Sequence, residues 1–223
     1  MTKVFEDLQP SADGYNLQIN SYEGTIYMVA NAGNMIDLQQ MKEEGISEEE
    51  WKKTTMAMSN GKVVNFFTGS LVIDGQNQPS QSLTLKRGVA RFDLNVDVAG
   101  SAAIESLTLR NVAQSGYLFA QGEVAASPAD VERNDVTAHF DTALSASTPG
   151  VLYVYEQENT GIEVSIEAVI DGQHKVLTKT LEGNLKRNTI YTVTVRKNAI
   201  DIVVKVDIDD WEPGEDTEII PQL

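Results

Sequence analysis

The chain contains no cysteine and only two histidines, His139 and His174, among its 223 residues. The lack of cysteine removes disulfides, thiolate metal ligands and cysteine nucleophiles together. The two histidines form neither an HExxH nor an HxH spacing, and a catalytic zinc ion needs several ligands at such spacings. The sequence therefore argues against a zinc enzyme.

Long apolar segments and basic runs are also missing. No apolar run approaches the ~20 residues that cross a bilayer, so we predict no membrane span. The residues after Met1 lack an apolar targeting core, so we expect no secretory signal within residues 1–223. The formal charge of −16 at pH 7 would repel nucleic acid and anionic membranes at long range. We therefore expect neither as the main partner.

The short motifs of common enzymes are absent. GxSxG, GxxxxGK[ST] and GxGxxG do not occur, which removes the local signatures of α/β-hydrolases and of nucleotide-binding loops. With 33 acidic residues, a carboxylate pair for glycoside hydrolysis is decided only by distances in space. A hydrolase triad assembled from distant residues also stays open. The acidic segment 207–218 lacks a D-x-D-x-D-G calcium loop. We expect no catalytic residue, no cofactor and no metal.

Alternating apolar and polar residues dominate the second half of the chain. Period-two alternation predicts half-buried antiparallel strands at residues 90–98, 162–170 and 200–208. The dipeptide Asp171-Gly172 is typical of a tight turn and predicts a hairpin between residues 162–170 and 175–181. A further strand is expected over residues 190–195.

One helix is predicted, from about Ser47 to Met58. Ser47 and Glu50 have the capping-box spacing, and the acids of the first turn suit the helix dipole. Trp51, Thr55 and Met58 share one helical face, which we expect to pack on a sheet.

These patterns predict an all-β protein with one short helix in its N-terminal domain. Residues 113–135 are small and polar, and they separate two regions dense in strands. We therefore place a domain border near Gly116, which gives domains at residues 1–116 and 117–223.

A few residues could mark a binding surface. Tyr153 and Tyr155 alternate with apolar neighbours, so they form either a sugar-stacking platform on an outer face or a packed contact with another element. His139 is expected on a solvated strand face and His174 on a loop. Trp211 is expected to cap the core of the last strand.

Four blocks carry a family resemblance, together with the segment from Gly24 to Asn31. The blocks are LTLKRGVARFDL (83–94), LYVYEQEN (152–159), LKRNTIYTVTV (185–195) and VDIDDW (206–211). In this order and spacing they resemble the fimbrillins, the type V pilus subunits of the Bacteroidales.

The resemblance implies two transthyretin-like antiparallel β-sandwich domains that polymerise by donor-strand exchange. It implies a non-catalytic fimbrial subunit or fimbrillin-like surface adhesin, extracellular on the fimbrium or the outer-membrane surface. Other fimbrial subunits would be its partners, with host proteins or glycans as further candidates.

Processing is also part of the resemblance. Fimbrillins lose a first strand to an arginine-specific protease; that strand is missing or partial before Tyr15, so we expect an incomplete N-terminal sandwich. Whether Arg87 or Arg91 is a processing site stays open.

The alternative is a secreted or lipid-anchored glycan-binding β-sandwich module. An exposed aromatic platform would favour the glycan-binding module, whereas an apolar groove beside an unpaired edge strand would favour the pilus subunit.

Overall fold

The computed structural model describes residues 3–8, 23–32, 35–74 and 83–205. Strands dominate it, which confirms the all-β class. Two short helices occur, α1 (Leu38–Glu43) and α2 (Glu48–Lys52). The strands are β1 (Glu23–Ala30), β2 (Thr55–Ala57), β3 (Phe67–Asp74), β4 (Lys86–Arg87), β5 (Val89–Val96), β6 (Ala102–Ala113), β7 (Ser115–Tyr117), β8 (Arg133–Leu144), β9 (Thr148–Tyr155), β10 (Glu163–Ile170), β11 (Gln173–Thr180), β12 (Ile190–Val195) and β13 (Ile200–Lys205).

Two four-stranded sheets form a sandwich. One has the strand order β11-β10-β6-β8 and is called the exposed sheet here; the other has the order β13-β12-β5-β9 and is called the covered sheet. The names refer to the outer faces, which face away from the partner sheet. Apolar residues from both inner faces form the sandwich core, including Phe92, Leu107, Ile166 and Tyr191.

The predicted hairpin is confirmed. Strands β10 and β11 pair in an antiparallel ladder across a two-residue turn. Asp171 and Gly172 both adopt the left-handed conformation in that turn, with φ of 50° and 76°, as a type I′ hairpin turn requires. The strand over residues 190–195 is confirmed as β12, and the part of the last predicted strand beyond residue 205 lies outside the described residues.

The strand predicted at residues 90–98 is β5, and its expected pairing is partly wrong. It pairs antiparallel with β9 but parallel with β12. Alternation along a single strand shows which residues share a face, but it does not show the direction of the neighbouring strands.

The helix prediction is correct at its start and wrong at its end. Ser47 accepts a hydrogen bond from the backbone of Glu50, whose side chain accepts one from Ser47 in return, so the capping box is present. The helix ends at Lys52, because residues 55–57 instead form strand β2 against β7. Trp51 is buried while Thr55 is exposed, so the predicted helical stripe does not exist.

A second cluster of apolar residues, called the junction core here, joins the N-terminal elements to the outer face of the covered sheet. Its N-terminal members include Trp51, Met56 and Phe66. Val89, Tyr155 and Ile190 contribute to it from β5, β9 and β12. The N-terminal elements therefore pack over one end of the covered sheet.

Sheet membership bears on the domain border. Strands β5 and β6 both precede Gly116, yet they pair with β12, β10 and β8, which follow it. The division into domains stays a prediction, and this pairing favours a border near Gly88 over one near Gly116. Among the described residues, no helix has the length and apolar character needed to cross a membrane.

Candidate functional site

The two histidines lie on the same sheet but form no metal site. His139 is exposed on β8, as predicted. His174 lies within β11, so its predicted loop position is wrong; its Nδ1 is 3.7 Å from Oε2 of Glu105. In the described ranges, no group of three or more histidine, aspartate or glutamate side chains could hold a metal ion.

The two tyrosines of β9 are packed rather than displayed. Tyr155 is fully buried, and its hydroxyl donates to the carbonyl oxygen of Ala57 at 3.1 Å and accepts from the amide of Val64 at 2.9 Å. Burial raises the pKa of Tyr155 above its usual value. Tyr153 is half-buried against the junction core. Of the two predicted outcomes, the packed contact is observed and the sugar-stacking platform is not formed.

The two arginines considered as processing sites are built into strands. Arg91 is only 6% exposed and forms a two-fold ion pair with Asp93, with Nε–Oδ1 at 2.6 Å. Arg87 lies over the ring of Phe67, 4.6 Å from its centroid, and the next residue, Gly88, donates its amide to Phe66. A protease that needs an accessible flexible segment would have to displace these strands first. Trp211 and the acidic segment 207–218 lie outside the described residues.

Strands β1 and β3 form a sheet with apolar residues on both faces. Val29 pairs with Thr68 and Tyr27 with Ser70, and the side carrying Tyr27 and Val29 packs on the junction core. The ring of Tyr27 meets Phe119 edge-on at 5.2 Å. This side anchors the sheet to the rest of the molecule.

The opposite side carries four large apolar residues, called the β1–β3 face here: Ile26, Met28, Leu71 and Ile73. Ile26 pairs directly with Leu71, so their side chains share this face. All four are half-buried, and they join neither the sandwich core nor the junction core. Among the described residues, this face is therefore an apolar surface outside both cores.

The edges of this sheet are also incomplete. Strand β4 pairs with β3 only at Phe67 and Thr68. A Cβ atom on Gly69, which pairs with Met28, would lie 2.5 Å from the carbonyl oxygen of Thr84 and 3.0 and 3.1 Å from the side chains of Leu83 and Leu85, so residues 83–85 cover the β1–β3 face at this point. Beyond that point, residues 70–73 have no strand partner on the β4 side within the described part of the chain. An apolar face thus lies beside a partly unpaired edge.

Sequence reasoning missed this face as a site, although a pattern was available. Ile26 and Met28 alternate along one strand, and Leu71 and Ile73 alternate along the other. Period-two alternation shows that each pair shares a face, but it does not show that these two faces are one surface.

Comparisons with known proteins agree with this architecture. The model of the bacterial Ig-like domain family matches residues 122–208. No curated protein sequence matches the chain. Among solved structures, a candidate cell adhesion protein from Bacteroides eggerthii superposes with a TM-score of 0.55 at 13% identity, covering 81% of this chain and 76% of the other. The tip fimbrial protein Mfa3 from Porphyromonas gingivalis, in a C-terminally truncated form, superposes with a TM-score of 0.54 at 13% identity, covering 81% and 78%.

At these identities the likeness concerns the fold. The structural neighbours are described as adhesion and fimbrial proteins of the Bacteroidales, so the fold agrees with the resemblance drawn from the sequence blocks.

Proposed function

We propose that the chain is a fimbrial subunit or fimbrillin-like surface adhesin of the Bacteroidales, acting outside the cell and without catalysis. The β1–β3 face is the observation that carries this proposal. A neighbouring subunit would add a strand beside β3 and cover that face, which is assembly by donor-strand exchange.

The energetic argument begins with the exposed apolar area. Ile26, Met28, Leu71 and Ile73 are half-buried and packed on neither core. Fully burying one side chain of this size stabilises by ~1.5–3 kcal/mol relative to full exposure, and covering a half-buried one yields a part of that. Four such residues could thus supply several kcal/mol to an incoming strand.

The second step is the backbone. Residues 70–73 pair with β1 on one side, and among the described residues no strand lies on their β4 side, where an added strand could pair with them. Backbone hydrogen bonds would supply affinity, and alternate side chains of the donor would set its register on the β1–β3 face.

The fold neighbours support the same proposal. One of them is described as a tip fimbrial protein and another as a candidate cell adhesion protein. By this analogy, other fimbrial subunits would be the principal partners, with host proteins or glycans as further ones.

The test is uptake of strand peptides. The purified chain is mixed with synthetic peptides drawn from the N-terminal and C-terminal strands of fimbrillins, and unfolding is followed by temperature. A peptide that binds only the native state, at one hundred times its Kd, should stabilise it by about 2.7 kcal/mol. Protection of β1 and β3 amides from hydrogen exchange locates the bound peptide.

A matched pair of variants makes the test specific. Leu71→Glu places a charge on the β1–β3 face and should abolish uptake. Val72→Glu changes the adjacent residue, which is 69% exposed and points to the other side, and should leave uptake unchanged. The proposal fails if no peptide stabilises the wild type, or if both variants lose uptake equally. Hydrogen exchange on the wild type decides the matter even if Leu71→Glu does not fold.

A further inference from the structure

The chain itself covers part of the β1–β3 face. Gly69 pairs with a residue of that face, and a Cβ atom on it would lie 3.0 Å from the side chain of Leu83 and 3.1 Å from that of Leu85. Residues 83–85, called the strap here, therefore lie on the face through their two leucines. Both leucines are half-buried and Thr84 between them is exposed, which is the alternation of an extended segment.

The strap lies where an added strand would run. The antiparallel ladder between β3 and β4 contains only two pairs. Continued in the same register, it places Leu85 opposite Gly69 and Thr84 opposite Ser70. A strand that enters on the β4 side of β3 needs the same space. The strap and a donor strand therefore exclude each other.

The strap is held less firmly than the strands beside it. Neither Leu83 nor Leu85 belongs to the sandwich core or the junction core. Strand β1 pairs with β3 at eight positions, whereas β4 pairs with it at two and the strap itself adds none. A half-buried side chain loses less free energy on leaving a surface than a fully buried one. A donor strand that pairs along residues 70–73 and covers the whole face would thus bind it more firmly than the strap does.

We propose that the strap is an internal competitor of the donor strand, which occupies part of the β1–β3 face until a neighbouring subunit displaces it. The inference rests on the proposed function and adds regulation of the same site to it. Covering an edge with another segment is one way in which proteins prevent unwanted strand pairing. The apparent affinity for a donor is then the intrinsic affinity multiplied by the fraction of molecules with a displaced strap.

A disulfide that holds the strap in place tests the competition directly. The chain has no cysteine, so Ser70→Cys combined with Thr84→Cys introduces the only thiols. Both positions are exposed, and Ser70 pairs with Tyr27, on the side opposite to the β1–β3 face. Fluorescence anisotropy of labelled fimbrillin strand peptides should show affinity at least about a hundredfold lower in the oxidised double variant, with recovery on reduction. Equal affinity with the disulfide intact would overturn the proposal.

A chemical control separates the held strap from an altered edge. Ser70→Cys alone, capped with a methylthio group, changes the edge of β3 without fixing the strap. It should lower the affinity by less than about threefold, as is usual for a change at an exposed position. A loss as large as that of the oxidised double variant would mean that the disulfide acts through the edge, and the proposal would fail.

The opposite change loosens the strap. Leu83→Ser combined with Leu85→Ser removes its apolar contacts with the face and should tighten peptide binding at least about threefold, because more molecules then have a displaced strap. Thr84→Ser in the same segment is the matched control and should change binding by less than about twofold. Weaker binding by the double serine variant would mean that the leucines help to hold the donor, and unchanged binding would mean that the strap does not compete. Either result contradicts the proposal.

Failure of this proposal is distinguishable from failure of the proposed function. If the wild type binds the peptides and the disulfide makes no difference, donor-strand exchange stands and the strap is not a competitor. If neither the wild type nor the double serine variant binds any peptide, donor-strand exchange at this face fails, and the regulatory role of the strap fails with it.

Discussion

The two sheets of the sandwich share one core but differ in what lies against their outer faces. On the covered sheet, the outer residues Val89, Tyr155 and Ile190 are 0%, 0% and 6% exposed, because the N-terminal elements pack over them. On the exposed sheet, His139, Val176 and Thr178 face solvent. The same kind of strand therefore carries different residues on its second face, according to what covers it.

The ion pairs of the two regions differ in burial in the same way as the outer faces of the sheets. Beside the covered sheet, Arg187, just before β12, binds Glu156, just after β9, at 2.6 Å. Arg187 also donates to the carbonyl oxygens of Tyr117 and Leu118, and both charged side chains are almost buried. On the exposed sheet, Arg110 binds Glu163 at 2.8 Å with half of its own side chain in water. Similar ion pairs should thus contribute differently to stability, since burial removes the alternative of hydration.

The largest expected effect comes from removing a junction-core side chain. Phe66→Ala should lower the free energy of unfolding by roughly 4 kcal/mol, because a fully buried ring is lost and leaves a cavity. Val176→Ala on the exposed sheet should change it by less than about 0.5 kcal/mol. Urea unfolding of both variants measures the difference. Similar small effects in both would mean that the N-terminal elements do not stabilise the covered sheet.

The buried ion pair should rank second. Arg187→Ala leaves Glu156 and two carbonyl oxygens without their partner, and we expect a loss of roughly 3 kcal/mol. Arg110→Ala removes an exposed pair and should cost less than about 1 kcal/mol. A denaturant series compares the two. Equal costs would contradict the assignment of the first pair as a buried contact of the junction.

The hydroxyl of Tyr155 gives a smaller effect. Tyr155→Phe removes one donor and one acceptor and leaves the amide of Val64 and the carbonyl of Ala57 unpaired, at a cost of about 1–2 kcal/mol. The matched change on the exposed sheet is Thr137→Val, which removes the 2.9 Å hydrogen bond to Thr108 and should cost less than about 0.5 kcal/mol. Thermal unfolding of both variants at pH 7 measures the two losses of stability. A larger loss in Thr137→Val than in Tyr155→Phe would disprove the prediction.

The smallest effect is a dependence on alkaline pH. Burial raises the pKa of Tyr155 and of Tyr191 in the folded protein. A raised folded-state pKa contributes stability that is fully present below the unfolded value of about 10 and is lost as pH rises through the folded value. Stability should therefore fall above about pH 10, and it should fall less steeply in Tyr155→Phe. The urea midpoints of the wild type and of Tyr155→Phe, measured between neutral and alkaline pH, test this. If stability falls equally steeply with pH in both, the raised pKa of Tyr155 does not contribute to the alkaline loss.

How far the sequence predicts the fold depends on the range of the interaction. The hairpin at Asp171 and Gly172 and the capping box of Ser47 and Glu50 were predicted correctly, because each depends on residues within a few positions of each other. The end of α2 was predicted wrongly, because β2 forms only where β7 lies beside it, about sixty residues later. The helical spacing of residues 51–58 reflects only local preference, and the pairing of β2 with a distant strand overrides that preference.

The candidate site shows the same limit. Each strand of the β1–β3 face shows its alternation in the sequence, but the face exists only because Ile26 and Leu71, far apart in the chain, lie directly opposite each other. For the tyrosines of β9, the sequence allowed either a sugar-stacking platform or a packed contact. The junction core covers Tyr155, so the packed contact is the one observed.

The sequence by itself determined the all-β class, the turns and which residues alternate along each strand, because these follow from backbone conformation and side-chain periodicity. Only the tertiary structure decided the parallel pairing of β5 with β12, the covered and exposed faces, and the role of Gly88. A Cβ atom at Gly88 would lie 2.0 Å from the ring of Phe66. That contact depends on packing between distant segments, which local sequence does not encode.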